Sequence, residues 1–336
     1  MSKRTLYVGI DVSKKSLEIA TTVDGKEVEA TKEIRNNLGG FRMLEEWMRK
    51  QSHKHGCEEI HYCIESTGVY SEKIVEYLQR AGDSKLSVVN PFVVKSFGKS
   101  LGVRTKTDRV DSELLALYVA TVKPKVTEKR PEDLKELRGL VRHLEYLIDR
   151  RGQEAGRLES ATSVLVAESI KKIIESYDKQ IEKIKGAIIE EHLSKHPDLR
   201  ERTELLETIP GIGGITSKIL LCELHMEGGG ERISAKAQTA HAGLAPQHRI
   251  SGSSVRGKPR ICKTGNSRLR RCLYFPTMVA IKHNPVIREF YRRMLENGKP
   301  KMVALVASMR KLLVIAIGVL NNREEFSENW VKREYA

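Results

Sequence analysis

A short apolar run that ends in an acid constrains this chain more than any other feature. Thr5 to Asp11 reads as a buried strand, Thr-Leu-Tyr-Val-Gly-Ile-Asp. A carboxylate at such a position is costly beside an apolar interior unless a cation neutralises it. Ser16 to Thr22 reads as a second strand after a polar turn, Asp24-Gly25 gives a hairpin signal, and a third strand runs through Ile34. Asn37 to Gln51 has helical periodicity, with Leu38, Phe41, Leu44, Trp47 and Met48 on one side. Glu59 to Glu65 is another strand that ends in an acid. Tyr70 to Ala81 reads as a helix, and Leu86 to Val89 as a strand stopped by Asn90-Pro91. Asp108 to Thr121 reads as a helix with Val110, Leu114, Leu117 and Tyr118 inward.

Three antiparallel strands followed by alternating helix and strand is the order of an RNase H-like α/β domain. A Rossmann chain would need a glycine-rich turn after its first strand, and none is present. The domain is predicted over residues 1–122. From 123 to 204 the sequence is polar and helix-favouring, after a Lys/Pro-rich connection to Pro131. Leu134, Leu137, Val141, Leu144 and Leu147 recur at near-heptad spacing, and Ile170, Ile173, Ile174, Ile181, Ile184 and Ile188 do so again. Two long helices are predicted, as a coiled-coil hairpin or a contact between copies. Residues 205–324 turn to glycine-rich turns and short helices, a mainly helical carboxy-terminal domain, with a tail at 325–336.

The net charge of +15 over 336 residues points to a polyanionic partner, nucleic acid before a membrane surface. The longest apolar run, Met302 to Leu320, is interrupted by Ser308, Arg310 and Lys311, so no span of about 20 residues is predicted. Ser2-Lys3-Arg4 leads into a strand, not a signal-peptide apolar core. The cysteines Cys57, Cys63, Cys222, Cys262 and Cys272 form no C-x-x-C pair, which argues against a zinc ribbon and a disulfide framework and for a reducing cytosol.

Three constellations carry chemistry. The first is carboxylate: Asp11 and Glu65 end strands, and Asp108 and Asp111 share a face at the start of a helix. Such a set suits magnesium, with manganese as the alternative ion, and paired ions of this kind drive phosphoryl transfer. The second is Ile209-Pro-Gly-Ile-Gly-Gly-Ile-Thr-Ser-Lys218, the pattern of a helix-hairpin-helix whose glycines admit a phosphate to backbone amides and to Lys218. The third runs from Arg249 to Arg271. It holds Arg249, Arg256, Lys258, Arg260, Lys263, Arg268, Arg270 and Arg271 and no acid, and reads as a flexible basic loop entering a basic helix. Ser251, Ser253 and Ser254 lie in it. A serine among cations facing a phosphodiester is a candidate nucleophile or a hydrogen-bonding loop residue.

The motifs Gly-Ile-Asp11-Val-Ser, Glu65-Ser-Thr-Gly and Lys106-Thr-Asp-Arg-Val-Asp111 resemble those of the DEDD insertion-sequence transposases with a RuvC-like first domain. The resemblance continues through Ile209-Pro-Gly-Ile-Gly, Ala242-Gly-Leu-Ala-Pro246, Ser251-Gly252 and Lys263-Thr-Gly-Asn-Ser-Arg-Leu-Arg270. It implies a recombinase guided by a structured noncoding RNA that bridges donor and target DNA. It further implies a metal-binding tetrad at Asp11, Glu65, Asp108 and Asp111, a nucleophile at Ser251 that forms a phosphoserine link to DNA, and dimers assembling to a tetramer. The implied setting is the cytoplasm of a bacterial or archaeal cell, at its nucleoid. The competing reading is a RuvC-like structure-specific nuclease in which the carboxylates activate water and the serine is idle.

Overall fold

The structure is a computed structural model that describes residues 4–66, 69–82, 84–103, 105, 107–127, 132–224, 232–251 and 255–328. The side chains of residues 69, 132, 133, 189, 190, 248–251 and 255–259 are not described. The chain folds as two compact units, Met1–Lys129 and Arg130–Ala336.

The first unit is mixed α/β. Strands β1 (Thr5–Val12), β2 (Ser16–Thr22) and β3 (Ala30–Arg35) form an antiparallel meander, and β4 (Glu59–Glu65) and β5 (Lys85–Val89) join in parallel, in the order β3-β2-β1-β4-β5. Helices α1 (Leu38–His55) and α2 (Val69–Ala81) are the crossovers. Because side chains alternate along a strand, β1 serves two cores. Leu6, Val8 and Ile10 pack with Phe41, Leu44, Met48, Ile74 and Leu78 of the crossovers. Tyr7 faces the other cluster, where Cys63 and Val89 meet Val94 of α3 (Pro91–Ser100) and Leu114, Leu115, Tyr118 and Val119 of α4 (Asp108–Val122).

Helix α3 corrects the expectation that Asn90-Pro91 merely stops a strand. Asn90 Oδ1 accepts from Phe92 N at 2.9 Å and Pro91 occupies the first helical turn, so the pair opens a helix.

The second unit is helical apart from one ribbon. Helices α5 (Glu132–Glu159) and α6 (Val164–Gly186) pack as an antiparallel hairpin, bridged by the Arg151–Asp178 ion pair at 3.0 Å. Leu134, Leu137, Val141, Leu144 and Leu147 line its seam with Ile181, and the same cluster takes in Ile219 and Leu221 of α8 (Gly214–Glu223). A π-helical turn, Ala187–His192, and a 3-10 turn, Leu193–Lys195, lead to α7 (Pro197–Glu207). There follow α9 (Ala235–His241), strands β6 (Pro246–Ser251) and β7 (Val255–Ile261), and helices α10 (Ser267–Cys272), α11 (Tyr274–His283), α12 (Pro285–Glu296) and α13 (Lys301–Asn322).

Two expectations change here. Residues 249–251 and 255–261 are strand and not loop: β6 and β7 pair antiparallel, with Ser251 opposite Val255. The register shifts between Gln247 and Arg249, opposite a stretch containing Pro259, which has no N–H to give to the ladder. Secondly, α13 is long and apolar enough to cross a bilayer by length and composition. Its Leu312, Leu313, Ile315, Ala316, Ile317 and Val319 are instead the centre of the unit's largest core, and Ser308 satisfies its hydroxyl on Ala304 O at 2.9 Å.

Candidate active site and basic ribbon

Four carboxylates are carried to one end of one face of the sheet. Strands β1, β4 and β5 run parallel, and Ile10 pairs with Ile64, so Asp11 and Glu65 emerge at neighbouring carboxyl ends. Both share the side-chain parity of the residues that face α4: Asp11 lies two after Gly9, and Glu65 two after Cys63.

Gly9 explains how the other two acids arrive. A Cβ on Gly9 would stand 2.1 Å from Ser112 O and 2.3 Å from Ala116 N, so the backbone of α4 lies directly on β1. Ser112 follows Asp111, which brings the first turn of α4 over the end of β1. Thr107 Oγ1 caps that helix by accepting from Val110 N at 3.2 Å. The cap is therefore Thr107, and the Asp108 carboxylate is exposed instead of being folded back onto the helix end.

The electrostatics follow. Burial raises the Asp11 pKa most, and the charges of Asp108, Asp111 and Glu65 raise it further, to about 6. Glu18, which pairs with Asp11 across β1 and β2, is also raised, by burial first and then by Glu33 and Asp108. Among the described residues, no three carboxylate, imidazole or thiol groups close on one point, so the acids outline a mouth and not a finished coordination shell. As a donor set they fit a hard divalent cation, because they offer carboxylate oxygens alone and hold Asp11 in a field that a cation would relieve.

In the second unit, Ser251 ends β6. Its side chain, and Ser253 and Ser254 with it, lie outside the described residues, as do the side chains of Arg249, Arg256 and Lys258. Arg260, Lys263 and Arg271 are exposed. Three other predicted phosphate ligands are engaged inside the fold. Lys218 Nζ, its side chain only 12% exposed, donates to Gly214 O at 2.8 Å and meets Glu207 Oε1 at 3.2 Å. Arg270 donates to Ala242 O at 2.9 Å. Arg268 pairs with Glu145 of α5.

The base of the ribbon is closed by two interlocked glycine turns. Gly243 and Gly265 have φ of 67° and 116°, and a Cβ at Gly265 would lie 2.1 Å from His241 O. Asn266 N donates to His241 O at 2.6 Å and Cys262 N to Ala245 O at 3.1 Å.

Sequence reasoning missed the anchor beneath, Glu223, whose side chain is 3% exposed. Asn266 Nδ2 donates to it at 2.8 Å, and Arg138 and Arg142 of α5 approach within 3.4 Å. Burial alone would push its pKa up, but Arg138, the Asn266 bond, Arg142 and Arg268 outweigh that and hold it below the ordinary value. Asn266 in turn caps α10, accepting from Arg268 N and Leu269 N at 3.0 Å. The only hint in the sequence is an acid in an apolar helix, Leu-Leu-Cys-Glu223-Leu, which must be paired if buried.

Between α7 and α8, Gly211 (φ 108°) takes the left-handed turn, and its Cα packs against α11, where a Cβ would meet Ala280 Cβ at 2.7 Å. The turn is thus a close-packed joint between helices.

Comparison with known proteins places both halves of the chain. Residues 8–165 match a transposase family model of the IS110 DEDD type, and residues 203–292 match the Transposase IS116/IS110/IS902 family. The pilin gene-inverting protein of Moraxella bovis is 33% identical over 324 residues, which cover 96% of this chain and 98% of that one, and its counterpart from Moraxella lacunata matches over the same extent at 33%. The insertion element IS900 uncharacterized 42 kDa protein of Mycobacterium paratuberculosis is 30% identical over 139 residues, 40% of this chain and 33% of that one. Among solved structures, Thermus thermophilus RuvC in complex with a Holliday junction substrate aligns to 36% of this chain and 99% of its own, at 13% identity and a TM-score of 0.27. With both family models matched in order and a full-length relative at one third identity, the chain belongs to the IS110-type DEDD transposases and is a DNA transposase and recombinase.

Proposed function

We propose that this enzyme cuts and rejoins DNA through a serine-linked intermediate, with Asp11, Glu65, Asp108 and Asp111 holding a divalent cation at the scissile phosphate. The observation that carries the reading is the gathering of Asp108, Asp111 and Glu65 around Asp11, where burial first and then their charges raise its pKa to about 6. The strand order β3-β2-β1-β4-β5 supports an RNase H-like reading of the first unit, with the ligand at the carboxyl ends of parallel strands.

Held by these carboxylates, Mg2+, or Mn2+ in its place, would supply the Lewis acid that favours attack at phosphorus. Ser251 supplies the nucleophile from the end of β6. Its Oγ bonds to phosphorus, the sugar oxygen of the scissile linkage leaves as a hydroxyl, and the phosphodiester is conserved as a phosphoserine ester. Attack by a hydroxyl of another strand end then releases the serine and joins the new pair. Arg260, Lys263 and Arg271, exposed beside this element, bind backbone phosphate. The exposed Gly213 and Gly214 of the turn between α7 and α8 offer a helix-hairpin-helix contact for DNA, made without Lys218, which Glu207 engages. Gene inversion, which the name of the Moraxella relatives describes, needs this conservative cut-and-join chemistry. By family resemblance, a structured guide RNA selects donor and target DNA, and dimers that use the α5–α6 hairpin assemble to a tetramer.

The test is a denaturing gel of protein, Mg2+, element-end RNA and labelled junction DNA. A covalent protein–DNA adduct is expected with wild type and absent from Ser251→Ala and Asp11→Ala. Cleavage without adduct that survives Ser251→Ala but not Asp11→Ala would assign a water-using nuclease instead.

A further inference from the structure

Helix α3 presents a face that the chemistry above does not use. Val94, Phe97 and Gly98 form its inward stripe: Val94 is buried, Phe97 meets Tyr118 edge-on with centroids 5.4 Å apart, and a Cβ on Gly98 would lie 2.9 Å from Leu114 Cδ1. At 100° per residue, Phe92, Lys95, Ser96 and Lys99 fall on the opposite side. All four are exposed, and Phe92 is 59% exposed. The helix contains no acidic residue. A large aromatic ring left in water and followed along the same face by two lysines matches a nucleic-acid strand: a base for the ring and phosphates for the ammonium groups.

The position of this face selects which strand. Helix α3 begins where β5 ends, and Val89 pairs with Glu65, with Ser66 N donating to Val89 O at 3.0 Å. Phe92 is thus three residues beyond the partner of a candidate metal ligand, at the same edge of the sheet. The close Gly98–Leu114 and Phe97–Tyr118 contacts tie α3 to α4, the helix that carries Asp108 and Asp111. The stripe and the carboxylates are therefore held as one rigid set.

We propose that the outer face of α3 receives an unpaired stretch of the DNA strand being cut, with a base stacked on Phe92 and phosphates on Lys95 and Lys99. The assignment of the strand rests on the carboxylate reading above.

The experiment uses the full chain and a short single-stranded DNA of mixed sequence with 2-aminopurine at its centre, alongside the RNA of the same sequence. Binding should quench the DNA probe by stacking. Phe92→Ala should abolish the quench and weaken binding roughly 5- to 150-fold, with little change in Tm because the residue is 59% exposed. Phe92→Trp should restore both, and Phe92→Leu neither. Lys95→Ala and Lys99→Ala should each lower the slope of log affinity against log salt by about 0.7. Wild-type quench and affinity in Phe92→Ala and in the double lysine variant would overturn the proposal. So would losses confined to the RNA probe, or a change in sedimentation with DNA binding intact. Asp11→Asn separates the two claims: it should bind and quench as wild type but fail to cut. If it cuts, the carboxylate reading falls, while the stacking readout still judges α3 as a strand-binding surface.

Discussion

Replacing Gly9 with alanine should damage both the stability of the first unit and its chemistry. The added Cβ meets backbone atoms, Ser112 O at 2.1 Å and Ala116 N at 2.3 Å, where ordinary contact begins near 3.4 Å. No rotamer change can relieve this, so α4 must move off β1 by about 1 Å or more. Overpacking of this kind costs about 3 kcal/mol, the upper part of the usual range. For a unit of this size that lowers Tm by roughly 10 °C. The same shift carries Asp108 and Asp111 away from Asp11, and a displacement of about 1 Å in a reacting constellation lowers the rate on the order of 100-fold. Differential scanning calorimetry and single-turnover strand cleavage, measured well below the new Tm, read the two effects separately. A Gly9→Ala protein that melts within a degree or two of wild type and cuts at the wild-type rate would show that α4 does not lie on β1 as described.

Other outcomes follow from the charges. Asp11 has a folded pKa raised to about 6 from an ordinary 3.8, so its contribution to stability is full below the ordinary value and lost as pH rises through about 6. In EDTA, urea midpoints should therefore fall across that window in wild type and not in Asp11→Asn. At pH 7.5, Mg2+ at a hundredfold over its Kd should return about 2.7 kcal/mol to wild type alone. Glu223 behaves oppositely: its pKa is held below the ordinary 4.5, so its stabilisation is present above that value and lost as pH falls through the lower one. Glu223→Ala should cost about 3–5 kcal/mol by stranding its arginines. Glu145→Gln should cost less at neutral pH, because burial already raises the Glu145 pKa against the pull of Arg268. Arg260→Ala and Arg271→Ala should each reduce the DNA salt slope by about 0.9 without altering Tm, whereas Arg268→Ala should lower Tm.

The strands of the first unit were legible because β-branched runs bounded by turns have few alternatives, and Ser16–Thr22 and Glu59–Glu65 run between the bounds read from sequence. The acids at their ends were legible for the same reason. Helix α3 was not, since Asn90-Pro91 ends one element and starts the next, and only the start has a cap to recognise. The β6–β7 ribbon was hidden by Gly252 and Pro259, which read as loop residues. The division of the basic residues into exposed and internally paired ones was not legible at all. It depends on Glu145, Glu207 and the Ala242 carbonyl, and Glu145 lies 123 residues from its partner and Ala242 28 from its own.

Helix α13 has a consequence for how the protein is made. The first unit has every strand and helix it needs once residue 122 has left the ribosome, and it folds while synthesis continues. The second unit has no such freedom. Leu206, Ile209, Leu220, Leu244, Leu269 and Leu273 share their core with residues 309–320, so more than a hundred residues of basic chain are translated before that core is complete. During that interval the nascent segment is cationic and apolar together, and it emerges beside the polyanions of translation. A transposase built in this order completes the core of its second unit only when α13 is added.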